Sequence, residues 1–169
     1  IAKQDAGCSF FITQVVYDVN AAKNLVSDYR YECEARGLEP VPIIFTFSVC
    51  GSLKTLSFLE WLGVDVPRWI QNDLRHADDT LQASYDHALG AAREMIAYCR
   101  RSGVPFGVNV ESVSTRRVEI EASVDLARQL GQALGVAHDH VCRTRRRFGR
   151  PREELQRRHV AHALRRLPP

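Results

Sequence analysis

The stretch Asp5-Ala6-Gly7-Cys8-Ser9-Phe10-Phe11-Ile12-Thr13-Gln14-Val15-Val16-Tyr17-Asp18 decides how this chain is read, because a single amide, Gln14, stands where an otherwise apolar strand ends. Cys8 to Ile12 is a short continuous apolar run, of the kind buried on both faces of a parallel sheet. Residues just after such a run lie at the strand's C-terminal end. In α/β enzymes that end carries the site. An uncharged glutamine there offers one carbonyl acceptor and an NH2 donor pair, a match for another amide such as nicotinamide or for a pterin edge. A glutamine satisfied by its own structure gives the same sequence signal.

Downstream, Asn20 is positioned to cap a helix running to about Arg36, with Leu25, Tyr29 and Cys33 on one face and Gly37 as its stop. Val41-Pro42-Ile43-Ile44-Phe45-Thr46-Phe47 reads as a second strand, its proline near the start, where the lost donor matters least. Ser52 caps a short helix with Leu53, Leu56, Leu59 and Leu62 inward. Val66-Pro67 restarts the chain as a helical turn through Trp69, Ile70 and Leu74. Asp78 and Asp79 open a long helix striped with Leu81, Tyr85, Leu89, Met95 and Ile96, which Gly103 ends. Val104 to Val110 gives a third strand, and Ser114 or Thr115 begins a last helix with Ile120, Val124, Leu126 and Leu130. Glu119 and Glu121, like Asp78 and Asp79, read as helix-surface acids. Alternation of strands and helices argues a parallel sheet with right-handed crossovers. Three strands cannot close a barrel, so the chain is either a small open sheet or the back end of a barrel.

With 169 residues, 45% hydrophobic and 25% charged, the chain has the balance of a soluble globular protein with one core. No apolar stretch approaches the roughly 18 residues of a membrane span, and no secretory signal pattern opens the chain. A cytoplasmic location is the default expectation. Five cysteines, Cys8, Cys33, Cys50, Cys99 and Cys142, stand singly without a CxxC pair, and read as reduced, mostly buried thiols. The chain opens at Ile1 inside what reads as a helix end, so further sequence is expected upstream. Val141 to Pro169 carries ten arginines against two glutamates, whereas Ile1 to His140 is net acidic. Composition changes near Leu134, dividing residues 1–134 from an Arg-rich extension, 135–169, that is helical from Pro151 or disordered. The extension lacks the interleaved aromatics of a nucleic-acid surface. His138-Asp139-His140 with Cys142 matches no established zinc spacing, so no metal is expected. No Walker or dinucleotide glycine loop is present.

The run DAGCSFFITQVVYD resembles the sixth strand of methylenetetrahydrofolate reductases, where a DAGA-x-x-x-ITQ-x-x-x-D pattern places a glutamine at Gln14. The likeness continues in order. Val41 to Phe47 resembles the family's V-P-G-I-F-P-I strand, and Ser52-Leu53-Lys54-Thr55-Leu56 its S-L-R-Q-L helix start. Val66-Pro67-x-x-Ile70, the Asp78-Asp79 helix opening with Tyr85, and Ser102-Gly103-Val104-Pro105-x-Gly107 also match, covering Lys3 to about Leu130.

This resemblance implies the last three strand-helix units of an incomplete (βα)8 TIM barrel. It also implies an oxidoreductase of one-carbon metabolism, the NAD(P)H-dependent reduction of 5,10-methylenetetrahydrofolate to 5-methyltetrahydrofolate on FAD. The first half of the site would lie on strands outside this chain, so no general acid is assigned. By the resemblance, Gln14 contacts the pterin and, in the other half-reaction, the nicotinamide amide. Lys3 matches a lysine that neutralises the flavin diphosphate. Ser112-Val113-Ser114 falls on a T-L-N turn, and Arg116 is the better match to the arginine that holds the folate's acidic tail. The family's strand glycine and second proline are Ile43 and Thr46, its stacking aromatic is Cys50, and its H-F-Y is Asn109-Val110-Glu111. Phe47 is the ring left to cover the space of the lost aromatic. These departures mark a divergent branch and leave open a folate-dependent reductase that uses the nicotinamide without flavin. A half barrel exposes strand edges, so a homo-oligomer or the missing N-terminal barrel half is the expected partner. The other reading is a non-catalytic fragment whose basic tail binds a polyanion such as nucleic acid.

Overall fold

The β-branched and aromatic run Ile43–Ser48 (β2) is the centre of a three-stranded parallel sheet, flanked by β1 (Phe11–Val15) and β3 (Phe106–Glu111). The computed structural model describes residues 1–135, of which Ile1–Leu134 form a compact unit. Apart from Gly135, the Arg-rich extension with its Pro151 helix and its His138-Asp139-His140-Cys142 group lies outside the described residues.

Spatial order equals chain order, β1-β2-β3. The helix α1 (Ala2–Asp5) precedes β1. Helix α2 (Val19–Arg36) returns the chain from β1 to β2. Three helices, α3 (Leu53–Trp61), α4 (Arg68–His76) and α5 (Thr80–Ser102), lie between β2 and β3, and α6 (Arg117–Leu134) follows. Among the described residues no helix is long and apolar enough to cross a membrane.

The strand alternation decides which face is covered. Ile43, Phe45 and Phe47 of β2 join Phe11, Phe106, Val108 and Val110 in one core with Val26, Cys33, Met95, Cys99, Leu126 and Leu130 of the helices. The opposite face carries register rows. Ile12, Ile44 and Gly107 align at the bottom, Thr46 and Asn109 above, and Ser48 and Glu111 at the top. This face is open at Ile12, 57% exposed, and at Glu111, whereas Thr46 and Ser48 between them are each 1% exposed. A second core, Tyr17, Cys50, Leu56, Leu59, Val64, Val66, Ile70 and Leu74, is built where α3 and α4 meet the chain leaving β1 and β2.

Helix ends follow local chemistry. Asp18, not Asn20, caps α2, its Oδ1 accepting from the Asn20 and Ala21 amides at 2.9 and 3.0 Å. A carboxylate two residues earlier than the expected cap reaches two orphan donors at once. Ser52 and Asp79 cap α3 and α5 as expected, and Gly37 and Gly103 end α2 and α5 in the left-handed conformation. Other expectations shift. The first strand is Phe11–Val15 rather than Cys8–Ile12, and it is open on one side, so Cys8 and Phe10 are exposed. Leu25 faces outward beside buried Val26, and Leu53, Leu62, Ile120 and Val124 are exposed. The last helix starts at Arg117 and buries Leu126 and Leu130 as expected, with Ser123 and Glu119 in place of Val124 and Ile120. Of the described thiols, Cys33, Cys50 and Cys99 are buried.

Candidate site at the strand ends

The C-terminal ends of β2 and β3 gather the polar groups. Asn109 Nδ2 donates to Thr46 Oγ1 at 3.3 Å and to Glu111 Oε1 at 2.9 Å. Thr13 Oγ1 accepts from the Thr46 amide at 3.1 Å, tying β1 into the same layer. Ser48, beside Glu111 in register, has a buried hydroxyl with no partner among the described residues. The side chains of Thr46, Asn109 and Glu111 thus form one connected polar strip that runs from buried Thr46 through half-buried Asn109 to exposed Glu111. Sequence reasoning met Asn109 and Glu111 only as departures from a motif. The alternation Phe106-Gly107-Val108-Asn109-Val110-Glu111 was the signal that would have placed them together.

Gln14 lies within β1, one residue before its end, where a bulge between Ile12 and Val15 interrupts the pairing with β2. The bulge breaks the simple two-residue alternation and re-aims the residues inside it. Gln14 is exposed, and its side-chain amide has no hydrogen-bond partner among the described residues. It lines a cleft of about 290 Å³ with Ala21 and Leu25 of α2 and with Gly63 and Asp65.

The loop after β3 is held in place from below. Ser112 Oγ donates to the Ser114 carbonyl at 3.2 Å, and Ser114 Oγ accepts from the Arg116 amide at 3.1 Å. The Arg116 guanidinium bonds the Gly51 carbonyl at 3.3 Å and Glu119 Oε1 at 3.1 Å. Glu119 corrects a sequence expectation: it is 0% exposed rather than a surface acid. Its carboxylate also accepts from Thr55 Oγ1 at 3.1 Å, so Arg116 and Thr55 supply the partners a buried charge requires. Glu121 is the surface member of the pair, bound to Arg117. Gly51 is obligatory in this arrangement, because a Cβ there would stand 2.5 Å from Glu119 Cγ.

Two expected residues lie elsewhere. Phe47 is 1% exposed within the helix-facing core, on the opposite side of the strand from Thr46 and Ser48, so its ring does not replace a stacking aromatic on the open face. Lys3 is on α1, at the other end of the sheet from Gln14. There Gln4 fastens the helix, donating to the Glu39 carbonyl at 2.9 Å and accepting from the Tyr29 hydroxyl, which in turn accepts from the Val41 amide. Cys50 is fully buried, its amide donating to Ser84 Oγ and its thiol to the Ser52 carbonyl. Burial, helped by the negative charge of Glu119 and Glu60, pushes that thiol from 9.0 up to about 11. Lys3 and Gln14 lie at opposite ends of the sheet, and a thiol, Cys50, stands where the family's ring is expected.

A separate cavity of about 620 Å³ lies between the start of α2, α4 and α5. There the His87 ring stacks on Tyr17 at 5.9 Å and meets Trp69 edge-on at 5.5 Å. Burial holds the His87 pKa below its usual value. Among the described residues no group of three His, Cys, Asp or Glu side chains is placed to hold a metal ion.

Among curated proteins, no sequence matches this chain. A solved structure described as an uncharacterised protein from Clostridium thermocellum that binds two copies of 5-methyl-5,6,7,8-tetrahydrofolic acid is similar, with 48% identity and a TM-score of 0.72. The match covers 76% of this chain and 45% of that one, so this chain spans less than half the length of its relative. Residues 1–130 match the family model described as methylenetetrahydrofolate reductase. The chain belongs to the methylenetetrahydrofolate reductase family.

Proposed function

We propose that this chain supplies the last three strand-helix units of a (βα)8 barrel and, with them, part of the binding site for a reduced folate. The catalytic role that fits is the NAD(P)H-dependent reduction of 5,10-methylenetetrahydrofolate to 5-methyltetrahydrofolate in one-carbon metabolism. The observation that carries this reading is the polar strip of Thr46, Asn109 and Glu111 at the C-terminal ends of parallel strands, which reaches the surface at Glu111. Ligands of parallel α/β sheets bind at that end. The folate bound by the Clostridium thermocellum relative supports the same ligand class here.

Gln14, exposed within the β1 bulge, presents the donor and acceptor of a free amide to the pterin or to the nicotinamide carboxamide. Arg116 and Ser112 sit on the loop after β3, where a half-exposed guanidinium anchored by Glu119 meets the folate's acidic tail. Lys3, matched to a contact with the flavin diphosphate, lies on α1 at the far end of the sheet from Gln14, and no step is derived through a flavin. The open strand edges call for upstream strands of the same polypeptide or for a second copy.

The test is methylenetetrahydrofolate-dependent oxidation of NADH and NADPH, with 5-methyltetrahydrofolate binding measured alongside. The protein is taken with all the sequence its gene encodes. Turnover that falls at least tenfold in Gln14→Ala is the expected result. Absence of both turnover and folate binding would refute the proposal, and binding without turnover would reduce it to a folate carrier.

A further inference from the structure

The hydrogen bonds of Asn109 determine what kind of ligand edge the strip can take. Its amide nitrogen faces two acceptors, Thr46 Oγ1 and Glu111 Oε1, which uses both N–H groups and fixes the orientation of the amide. What remains free is the Asn109 carbonyl oxygen and the second carboxylate oxygen of Glu111, neither of which has a partner among the described residues. Both remaining groups are acceptors. They project from adjacent same-face positions of one strand, near the top of the open face, and Glu111 is exposed. Glu111 cannot turn away freely, because Asn109 holds its other oxygen at 2.9 Å.

We propose that Glu111, tethered by Asn109, is the specificity-determining acceptor for the 2-amino and N3–H donor edge of the pterin ring. The inference rests on the folate reading above and goes further, since it names the contact and the ligand group. A 2-amino-4-oxopyrimidine edge presents two parallel N–H donors, and a carboxylate with a fixed geometry pairs with such an edge through charge-assisted hydrogen bonds. The same acceptor-only surface repels phosphates and the carboxylates of a folate tail, so it orients the ligand head-first. The hydroxyl of Ser48, beside Glu111 in register, is buried and does not face the ligand's side of the carboxylate.

The experiment pairs a change in the protein with a change in the ligand. Titration calorimetry compares 5-methyltetrahydrofolate with its 2-desamino analogue on the wild-type protein, Glu111→Gln and Asn109→Ala, all in the full encoded length. Charge-assisted contacts of this kind predict a loss of about 10- to 100-fold for 5-methyltetrahydrofolate in Glu111→Gln. The same variant loses several-fold less for the 2-desamino analogue, which keeps only the N3–H of the two donors. Asn109→Ala shows a smaller loss with the same ligand selectivity. Equal losses for both ligands, or no loss in Glu111→Gln, overturn the assignment while leaving the folate reading standing. If the wild-type protein binds neither ligand, the folate reading itself is wrong and the assignment falls with it. Unchanged thermal unfolding of Glu111→Gln, an exposed position, separates lost recognition from lost folding.

Discussion

Substituting Gly51 by alanine tests the buried support of the loop after β3 most directly. The added Cβ would lie 2.5 Å from Glu119 Cγ, 2.8 Å from Cδ and 2.9 Å from Oε1, distances that real contacts do not reach. Gly51 is not among the positive-φ glycines, so the backbone itself accepts alanine and the collision is the whole cost. The carboxylate has to move, yet it is fully buried and held by Thr55 and Arg116. Overpacking costs about 1–3 kcal/mol, and stretching a hydrogen bond to a buried charge adds up to about 1.5 kcal/mol. The expected destabilisation is therefore about 2–4 kcal/mol, read by urea unfolding with an unchanged denaturant slope. In a Glu119→Ala background the obstructing atoms are gone, so Gly51→Ala there should cost less than about 0.5 kcal/mol. A Gly51→Ala cost within about 0.5 kcal/mol of zero, or the same cost in both backgrounds, would show that Glu119 is not the anchor described here.

Gly90→Ala runs the other way: it lies inside α5 with nothing within 4 Å of its added Cβ, so it should stabilise by about 0.5–1 kcal/mol in the same assay. Asp79→Ala removes the cap whose carboxylate accepts from the Gln82 amide at 3.0 Å, and thermal melts should reveal a loss of about 1 kcal/mol. Burial raises the Cys50 and Cys99 thiols from 9.0 to about 11, so both contribute stability below pH 9. That contribution disappears as pH rises through about 11, and a stability-pH profile flat across this window would contradict it. At pH 8, iodoacetamide followed by peptide mapping should modify exposed Cys8 well before Cys33, Cys50 or Cys99, and simultaneous labelling of all four would contradict their burial.

Much of the topology was legible because it rests on local chemistry. Ser52 and Asp79 announce helix starts, Gly37 and Gly103 announce ends, and Ile43 to Phe47 can hardly be anything but a buried strand. What the sequence misplaced depends on partners far along the chain. Glu119 is separated from Thr55 by 64 positions, and nothing local distinguishes it from Glu121. Cys8 to Ile12 is apolar enough for a two-sided strand, but a strand at the sheet's end with one uncovered face exposes Phe10 and Ile12 regardless. Phe47 fits a ligand-stacking role by composition. Its parity within β2, opposite to Thr46 and Ser48, commits it to the core. The Asn109 and Glu111 pair was readable from period-two alternation, but their bonding to each other and to Thr46 required the register.

The rows of the open face also set a depth scale. Half-buried Asn109 and exposed Glu111 offer hydrogen bonds to solvent, Thr46 and Ser48 beside them are buried, and Ile12 and Ile44 beneath offer none. Gly107 leaves the bottom row without a side chain on β3, where an added Cβ would meet Ile44 Cγ1 at 3.4 Å. The face therefore steps from an apolar notch at the bottom row to a polar, solvent-facing edge at Glu111. A bulkier residue at Gly107 would fill that notch against Ile44 and remove the step between the lower and upper rows.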